Sequence, residues 1–177
     1  MIDPRAWTKL LRAGLGAGLA VGLVLELSTR AMINATAAPA FVVAVGASAA
    51  LVFAVPDSPF ARPWSVIGGN VISALAGSLV VAMLGTGTLA AMLAVALAVV
   101  AMQIGRCLHP PGGAVALSVV IGGPGIHAAG FAYAFATVGF NMALLTLAGL
   151  AYNRGADALP GFVRRLRGTK PNMQEHE

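Results

Sequence analysis

A His-Pro-Pro-Gly-Gly segment at residues 109–113 interrupts an otherwise apolar stretch of the chain. Proline has no amide hydrogen and disfavours helix at the preceding residue, so a helix cannot continue through Pro110 and Pro111. Gly112 and Gly113 then let the backbone pass close to a neighbouring element or a ligand. At membrane depth such irregular backbone is tolerated only where it is buried in protein or lines a cavity, so this break predicts a functional site.

The composition indicates a membrane protein. Of the 177 residues, 58% are hydrophobic and only 10% are charged, whereas soluble domains carry about 25% charged residues. At about 20 residues for each crossing, the length allows one all-α polytopic bundle of roughly six segments. Cys107 is the single cysteine, and no group of His, Cys, Asp and Glu has metal-ligand spacing, so we expect no disulfide, metal or other cofactor. No nucleophile and base form a catalytic pattern, so we do not expect an enzyme.

The net charge of +5 lies mostly in the two ends of the chain. We predict a basic flank at residues 1–11, a transmembrane domain at 12–152 and a basic tail at 153–177. Because short flanks rich in Lys and Arg remain in the cytoplasm, we expect both termini there and an even number of crossings. We expect a bacterial inner membrane, whose anionic lipids explain the basic tail better than a nucleic-acid partner does.

Apolar runs and the breakers between them predict six helical segments. The fifth is too short to cross a hydrocarbon core of about 30 Å, so we expect a half-helix, a re-entrant piece or a short span inside the bundle. The six segments are 12–28, 38–55, 64–84, 88–106, 111–122 and 130–152.

Two parts of the chain, residues 12–84 and 88–152, resemble each other. A string of small and apolar residues at 46–51 leads to one proline, and a similar string at 112–117 leads to another. Two repeats of three segments have opposite orientations if every segment crosses the membrane, and such inverted repeats place a transport site near the midplane. Chance similarity between Ala- and Gly-rich stretches is the alternative. Prolines mark the breaks before the two strings: Pro39 before the first, and Pro110 and Pro111 before the second.

Asn70 and Asn141 lie at corresponding positions of the two repeats, and each is followed by a Leu-Ala-Gly string. Their amides either hydrogen-bond between spans or donate to a substrate. Small residues also recur at every fourth position, which allows close helix packing within one chain or in a homo-oligomer. These small residues are Gly14, Gly18 and Gly22 in the first segment, and Gly69, Ser73 and Gly77 in the third.

Four ionisable residues lie inside or at the ends of predicted spans: Glu26, Arg30, Arg106 and His109. A charge within a span costs about 2.5–3.5 kcal/mol and needs a partner, a wet cavity or an interface position. Glu26 and Arg30 are one helical turn apart, so they form either a structural ion pair or a proton-responsive coupling site. Arg106 either reaches the membrane surface as an anchor or joins His109 in an anion site with the amides that open the fifth segment.

Four strings of this sequence together resemble the HPP family of integral membrane proteins, over roughly residues 10–155. The strings are Gly46–Ala49, Pro56–Pro59, Pro63–Asn70 and Leu108–Ala114. The family takes its name from the His-Pro-Pro string, and its plastid and cyanobacterial members are associated with nitrite transport. Asn70 stands where a His is frequent in the family.

The resemblance implies a transporter or channel for a small anion in the lipid bilayer, with nitrite as the best single substrate. We expect Arg106, His109 and the amides of Gly112 and Gly113 to hold the anion. The first repeat is expected to line the opposite face through Gly46 and Ser48, and Asn70 and Asn141 are further candidates for binding. The alternative is a non-transporting membrane subunit or sensor in which the breaks are structural.

Overall fold

The computed structural model describes residues 4–30 and 39–167, with side chains for residues 7–30 and 41–156. In this part of the chain the α-helices are accompanied by a short 3₁₀ helix at Pro59–Ala61 and by a π-helical stretch at Ala134–Gly139 that leads into the last helix. The α-helices are α1 Pro4–Arg30, α2 Pro39–Ala54, α3 Pro63–Leu84, α4 Thr88–Ile104, α5 Gly112–Ile121, α6 Pro124–Ala129 and α7 Phe140–Arg167.

Within these residues, three helical stretches are long and apolar enough to cross a membrane: Trp7–Arg30, Pro63–Leu84 and Ala134–Ala156. Three shorter apolar helices lie between them along the chain: Phe41–Ala54, Thr88–Ile104 and Gly112–Ile121. The helical membrane bundle is thereby confirmed. The predicted fifth segment is a helix of only 10 residues.

The first and last helices extend beyond the predicted segments. α1 begins inside the predicted flank, and α7 continues to Arg167, inside the predicted tail. The prediction followed apolar runs, whereas Lys, Arg and Leu are good helix formers that continue a helix into polar sequence. The connection between the predicted fifth and sixth segments contains the short helix α6, because Pro124 has the backbone angle that suits the first turn of a helix.

The two halves of the chain run in opposite directions. At one end of the bundle, the Arg12 guanidinium donates to the Asn153 carbonyl over 3.0 Å, and the Asn153 side chain donates to the Val52 carbonyl over 3.1 Å. These bonds bring together the early part of α1, the end of α2 and the later part of α7, and we call this the basic end. Trp64, at the start of α3, donates to the Gly105 carbonyl over 3.0 Å. Because α3 begins shortly after α2 ends, Trp64 lies at the basic end, and so does the end of α4. α4 therefore ends where α1 begins, and the two halves run in opposite directions.

The helices of the two halves also pack in corresponding pairs. α1 packs against α2 as α4 packs against α5, and α1 packs against α7 as α4 packs against α3. α3 lies on α5 as α7 lies on α2. In this last pair Gly77 and Gly149 correspond: a Cβ at Gly77 would lie 2.8 Å from the Ala116 carbonyl oxygen of α5, and one at Gly149 would collide with Val52 of α2. The packing agrees with an inverted repeat that relates α1, α2 and α3 to α4, α5 and α7.

The core lies between these pairs of helices. Fully buried apolar side chains from five helices meet there: Val24, Phe41, Val66, Val115 and Met142. The outer faces of α1 and α4 instead carry exposed leucines. Lipid tails are as apolar as leucine, so such faces are stable within a bilayer.

Candidate functional site

The break between α4 and α5 begins before its prolines. The Arg106 amide donates to the Gln103 carbonyl over 3.1 Å, and the Cys107 amide donates to the Met102 carbonyl over 2.9 Å. Arg106 itself has a left-handed φ of 50°. These features form the Schellman motif that ends many helices, with glycine as the usual left-handed residue. Arg106 therefore carries backbone strain, and the prolines follow a helix that has already ended.

Gly69 and Gly112 allow the segment after α4 and the start of α5 to lie directly against α3. A Cβ at Gly69 would lie 2.5 Å from the Cys107 carbonyl oxygen, and one at Gly112 would lie 2.5 Å from Ser73 Oγ. Side chains cannot be accommodated at such distances. Gly113 differs, because the nearest described atom to a Cβ there is 4.0 Å away.

The amides that open α5 are already bonded within the chain. The Gly112 amide donates to the His109 carbonyl over 2.8 Å, and the Gly113 amide donates to the Pro110 carbonyl over 3.2 Å. Free amides at a helix N-terminus are suited to binding an anion. Here the two amides instead close the turn that starts the helix.

The His109 side chain is fully buried, and its ring is held on both sides. Nδ1 lies 2.7 Å from the Phe60 carbonyl oxygen, and Nε2 lies 2.9 Å from Ser48 Oγ. Because a carbonyl only accepts, Nδ1 carries the hydrogen, and Nε2 of the neutral ring accepts from the Ser48 hydroxyl. The ring thus connects α2, the 3₁₀ helix and the segment before α5 through two uncharged partners.

Asn70 extends this group from α3. Its amide nitrogen donates to the Val66 carbonyl over 2.7 Å and lies 3.5 Å from Ser48 Oγ. Its Oδ1 is buried and has no donor among the described residues. Leaving a buried acceptor unpaired costs about 1–3 kcal/mol, so this oxygen needs an explanation beyond packing. We call Ser48, Asn70 and His109 the histidine cluster.

A second buried amide lies in the other half of the molecule. The Asn141 amide nitrogen donates to the Thr137 carbonyl over 2.7 Å, which repeats the bond that Asn70 makes four residues back. Its Oδ1 accepts a hydrogen bond from the buried Ser28 hydroxyl of α1. This amide is paired on both sides and links α1 to α7.

Comparison with known proteins identifies the family. A family model described as HPP, transmembrane region, matches residues 3–159. The chain belongs to the HPP transmembrane family. It is similar to two transmembrane proteins of Dictyostelium discoideum, one 46% identical over 80 residues and the other 39% identical over 114 residues.

These matches cover 43% and 62% of this HPP chain, and 28% and 36% of the two relatives. The chain thus spans about a third of the length of the curated relatives it matches. No solved structure matches it. The resemblance inferred from the four sequence strings is confirmed by the family match.

The predicted binding residues of this HPP chain separate into two groups. His109, Ser48 and Asn70 come together in the histidine cluster. Arg106 is exposed beyond the end of α4, and Gly46 lies on the exposed face of α2 with no described atom within 4 Å of a Cβ built there. Neither of these two residues contributes to the cluster. Of the predicted break residues, Pro39 opens α2, whereas Pro110 and Pro111 precede α5.

The predicted coupling residues lie on the outer surface of α1. Arg30 Nε donates to Glu26 Oε1 over 2.7 Å, and the two side chains are 75% and 60% exposed. Ser28, between them on the same helix, is instead buried against Asn141. The structure thus brings Glu26 and Arg30 together as an exposed pair, and their coupling role stays a prediction.

Sequence reasoning missed the contribution of Phe60 to the cluster. The contact uses the Phe60 main-chain carbonyl, so no side-chain pattern marks it. The Ser58 hydroxyl accepts from the Phe60 amide over 3.2 Å and caps the 3₁₀ helix. A Ser-Pro pair such as Ser58-Pro59 is typical of a turn, but it does not indicate which carbonyl faces inward.

Proposed function

We propose that this HPP protein transports a small inorganic anion across a bacterial inner membrane, with nitrite as the first substrate to test. The observation that carries the proposal is the histidine cluster, because it buries three polar side chains where helices of a membrane bundle meet. Polar groups inside such a bundle are costly and commonly mark a substrate or proton pathway. The family resemblance supplies nitrite as the substrate.

Protonation of His109 would convert the cluster into an anion site. A proton on Nε2 would direct an N–H group towards Ser48, whose hydroxyl and the neighbouring Asn70 amide nitrogen are further donors. The imidazolium charge would offset the charge of the anion in a medium of low dielectric, where isolated charges are strongly disfavoured. We therefore expect the anion and a proton to bind together.

Arg106 and the amides of Gly112 and Gly113 have a different part in this proposal. The amides are used by the turn before α5, and Arg106 is exposed where α4 ends. We assign these residues to the architecture of the break and the anion contacts to Ser48, Asn70 and His109. This assignment differs from the expectation drawn from sequence, and the two make opposite predictions for Arg106→Ala.

Nitrite flux into proteoliposomes, measured with and without an inward proton gradient, tests the proposal. We expect the gradient to accelerate flux. His109→Gln and Ser48→Ala should each lower it at least about tenfold, because a hydrogen bond to a charged group contributes about 1.5–3 kcal/mol. Arg106→Ala is the matched control at the same break and should retain most of the flux.

Two outcomes would contradict this assignment. Wild-type flux in both His109→Gln and Ser48→Ala would place the substrate elsewhere. An equal loss in Arg106→Ala would return the anion to Arg106. A panel of nitrite, nitrate, formate and chloride then ranks the substrates.

We further propose that the basic end faces the cytoplasm, since basic flanks remain on that side. Labelling of single cysteines in a Cys107→Ser background tests this orientation. Asp57→Cys should react only after the membrane is permeabilised, and Gly125→Cys should react from outside. The reverse pattern would invert the topology.

The alternative function is a non-transporting subunit or sensor. It is favoured by one observation: both ring nitrogens of His109 and the amides of Gly112 and Gly113 are satisfied within the chain. A purified protein that accelerates no anion of the panel while retaining a partner protein would support this alternative.

A further inference from the structure

A cavity of about 560 Å³ opens at the basic end, between α1, the end of α2, α7 and the loop at 56–62. It lies apart from the histidine cluster and shares none of its three side chains. Four basic side chains and one carboxylate contribute to its lining: Lys9, Arg12, Arg62, Arg154 and Asp57. They come from three distant parts of the sequence: the early part of α1, the loop at 56–62 and the later part of α7.

Three of the four cations around this cavity lack an ionic partner among the described residues. Arg12, the fourth, donates to the Asn153 carbonyl. Within the part of the chain that the structure describes, Lys9, Arg62 and Arg154 form no ion pair, and neither does Asp57. Like charges placed around one cavity repel each other, so a bound anion would relieve that repulsion.

Apart from Thr146 and Asn153, the rest of the lining is apolar. Val52, Phe53 and Leu150 contribute hydrocarbon surface next to the charged groups. The volume lies in the range of about 300–1,000 Å³ that is typical of organic ligands, and it greatly exceeds the size of an inorganic anion such as nitrite. The leucines of the neighbouring α1 turn, Leu10 and Leu11, are 55% and 60% exposed, as expected of a surface that faces lipid. The occupant that fits is therefore anionic at one end and apolar at the other.

The corresponding cavity of the second half shows that the fold does not require this charge. It lies at the opposite end, between the start of α4, the end of α5 and α6, and its volume is also about 560 Å³. The polar side chains among its described lining residues are Thr86, Thr88 and His127, and no Lys or Arg lines it. The same architecture thus forms a neutral cavity at one end and a cationic cavity at the other.

We propose that the cationic cavity binds the headgroup phosphate of an anionic phospholipid. The guanidinium groups of Arg62 and Arg154 and the Lys9 ammonium surround the phosphate, and the apolar wall contacts the glycerol and the first acyl carbons. Basic pockets between membrane helices recognise such headgroups on the cytoplasmic side. The inference is independent of what the protein transports.

Native mass spectrometry of the purified full chain, titrated with phosphatidylglycerol or phosphatidylcholine, tests the proposal. We expect phosphatidylglycerol to bind at least about tenfold more tightly. The double variant Arg62→Gln with Arg154→Gln should lose that preference. Arg106→Gln removes a cation at the same end but outside the cavity lining, and it should bind within about twofold of wild type. Lys9→Gln alone should weaken binding in the same direction, which keeps the test valid if the double variant does not fold.

Three results would overturn the proposal. Equal losses in Arg106→Gln and the double variant would show a nonspecific surface attraction. Equal binding of the two lipids would exclude recognition of the headgroup charge. Displacement of the lipid by inorganic phosphate or glycerol phosphate at equal concentration would assign the cavity to a soluble anion. None of these measurements depends on flux, so a failure here is distinct from a failure of the transport proposal.

Discussion

The two buried asparagines occupy corresponding positions in the two repeats but have different hydrogen-bond partners. Asn70 and Asn141 make the same bond to the carbonyl four residues back. Asn141 also accepts a hydrogen bond from the uncharged Ser28 hydroxyl. Asn70 instead lies beside Ser48, which contacts the titratable ring of His109, and its Oδ1 has no donor among the described residues. The repeat therefore accounts for the bond that the two asparagines share. The difference between them lies at the histidine cluster, where we expect the substrate to bind.

The largest expected loss of stability is that of the Gly69→Ala variant. A Cβ at this position would meet the Cys107 carbonyl oxygen and His109 Cβ, at 2.5 and 2.8 Å. Neither is the flexible end of a side chain, so we expect a loss of about 3 kcal/mol in the free energy of unfolding, at the upper end of overpacking costs. Denaturant unfolding in detergent measures it. Gly46→Ala, which has open space, is the control, and equal stability of the two variants would contradict the packing described here.

Gly77→Ala and Gly149→Ala test whether the two halves are structurally equivalent. Each would introduce a methyl group into a tight contact, Gly77 against α5 and Gly149 against α2. We expect each variant to lose about 2 kcal/mol of stability by the same unfolding measurement. A large loss of stability in one variant and none in the other would show that α3 and α7 are not structurally equivalent.

Ser48→Ala and Ser28→Ala test whether the histidine cluster and the Ser28–Asn141 pair differ in function. Each change leaves a buried acceptor unpaired, His109 Nε2 in the first case and Asn141 Oδ1 in the second, so each should lose about 1–2 kcal/mol of stability. We expect only Ser48→Ala to lower anion flux per folded molecule. Equal flux in the two variants would remove the functional distinction between the halves.

The smallest expected change in stability is at Arg106, where α4 ends. Arg106→Gly should stabilise the protein by about 1 kcal/mol, since a left-handed conformation costs an L-residue roughly 1–2 kcal/mol and glycine little. Arg106→Ala keeps the strain and should show no gain. A loss of stability in Arg106→Gly would mean that the guanidinium makes a contribution larger than the strain.

Much of the fold was predictable because helices, breakers and small residues leave local signals. The Leu-Ala-Gly strings after Asn70 and Asn141 predicted a repeat, and Gly77 and Gly149 do occupy matching contacts. The short fifth segment also followed from its length alone.

The composition of the site was less predictable. Arg106 lies three residues before His109 in sequence, yet the left-handed turn at Arg106 separates an exposed side chain from a buried one. The contribution of Phe60 is a carbonyl, which carries no sequence signal. The cationic cavity depends on α1 packing against α7, which places Arg12 beside Asn153 across 141 positions of the chain. Such contacts follow from tertiary structure and not from local pattern.

The π-helical stretch at Ala134–Gly139 determines the orientation of α7, which follows it. A π turn holds one more residue than an α turn, and each residue of an α-helix advances the side chains by about 100° and 1.5 Å. Forcing α geometry on this stretch while keeping all of its residues would rotate α7 by about 100° relative to the segment before it. Asn141 would then turn away from Ser28, and Gly149 from Val52. The extra residue of the π turn therefore sets the orientation of α7 towards its neighbours.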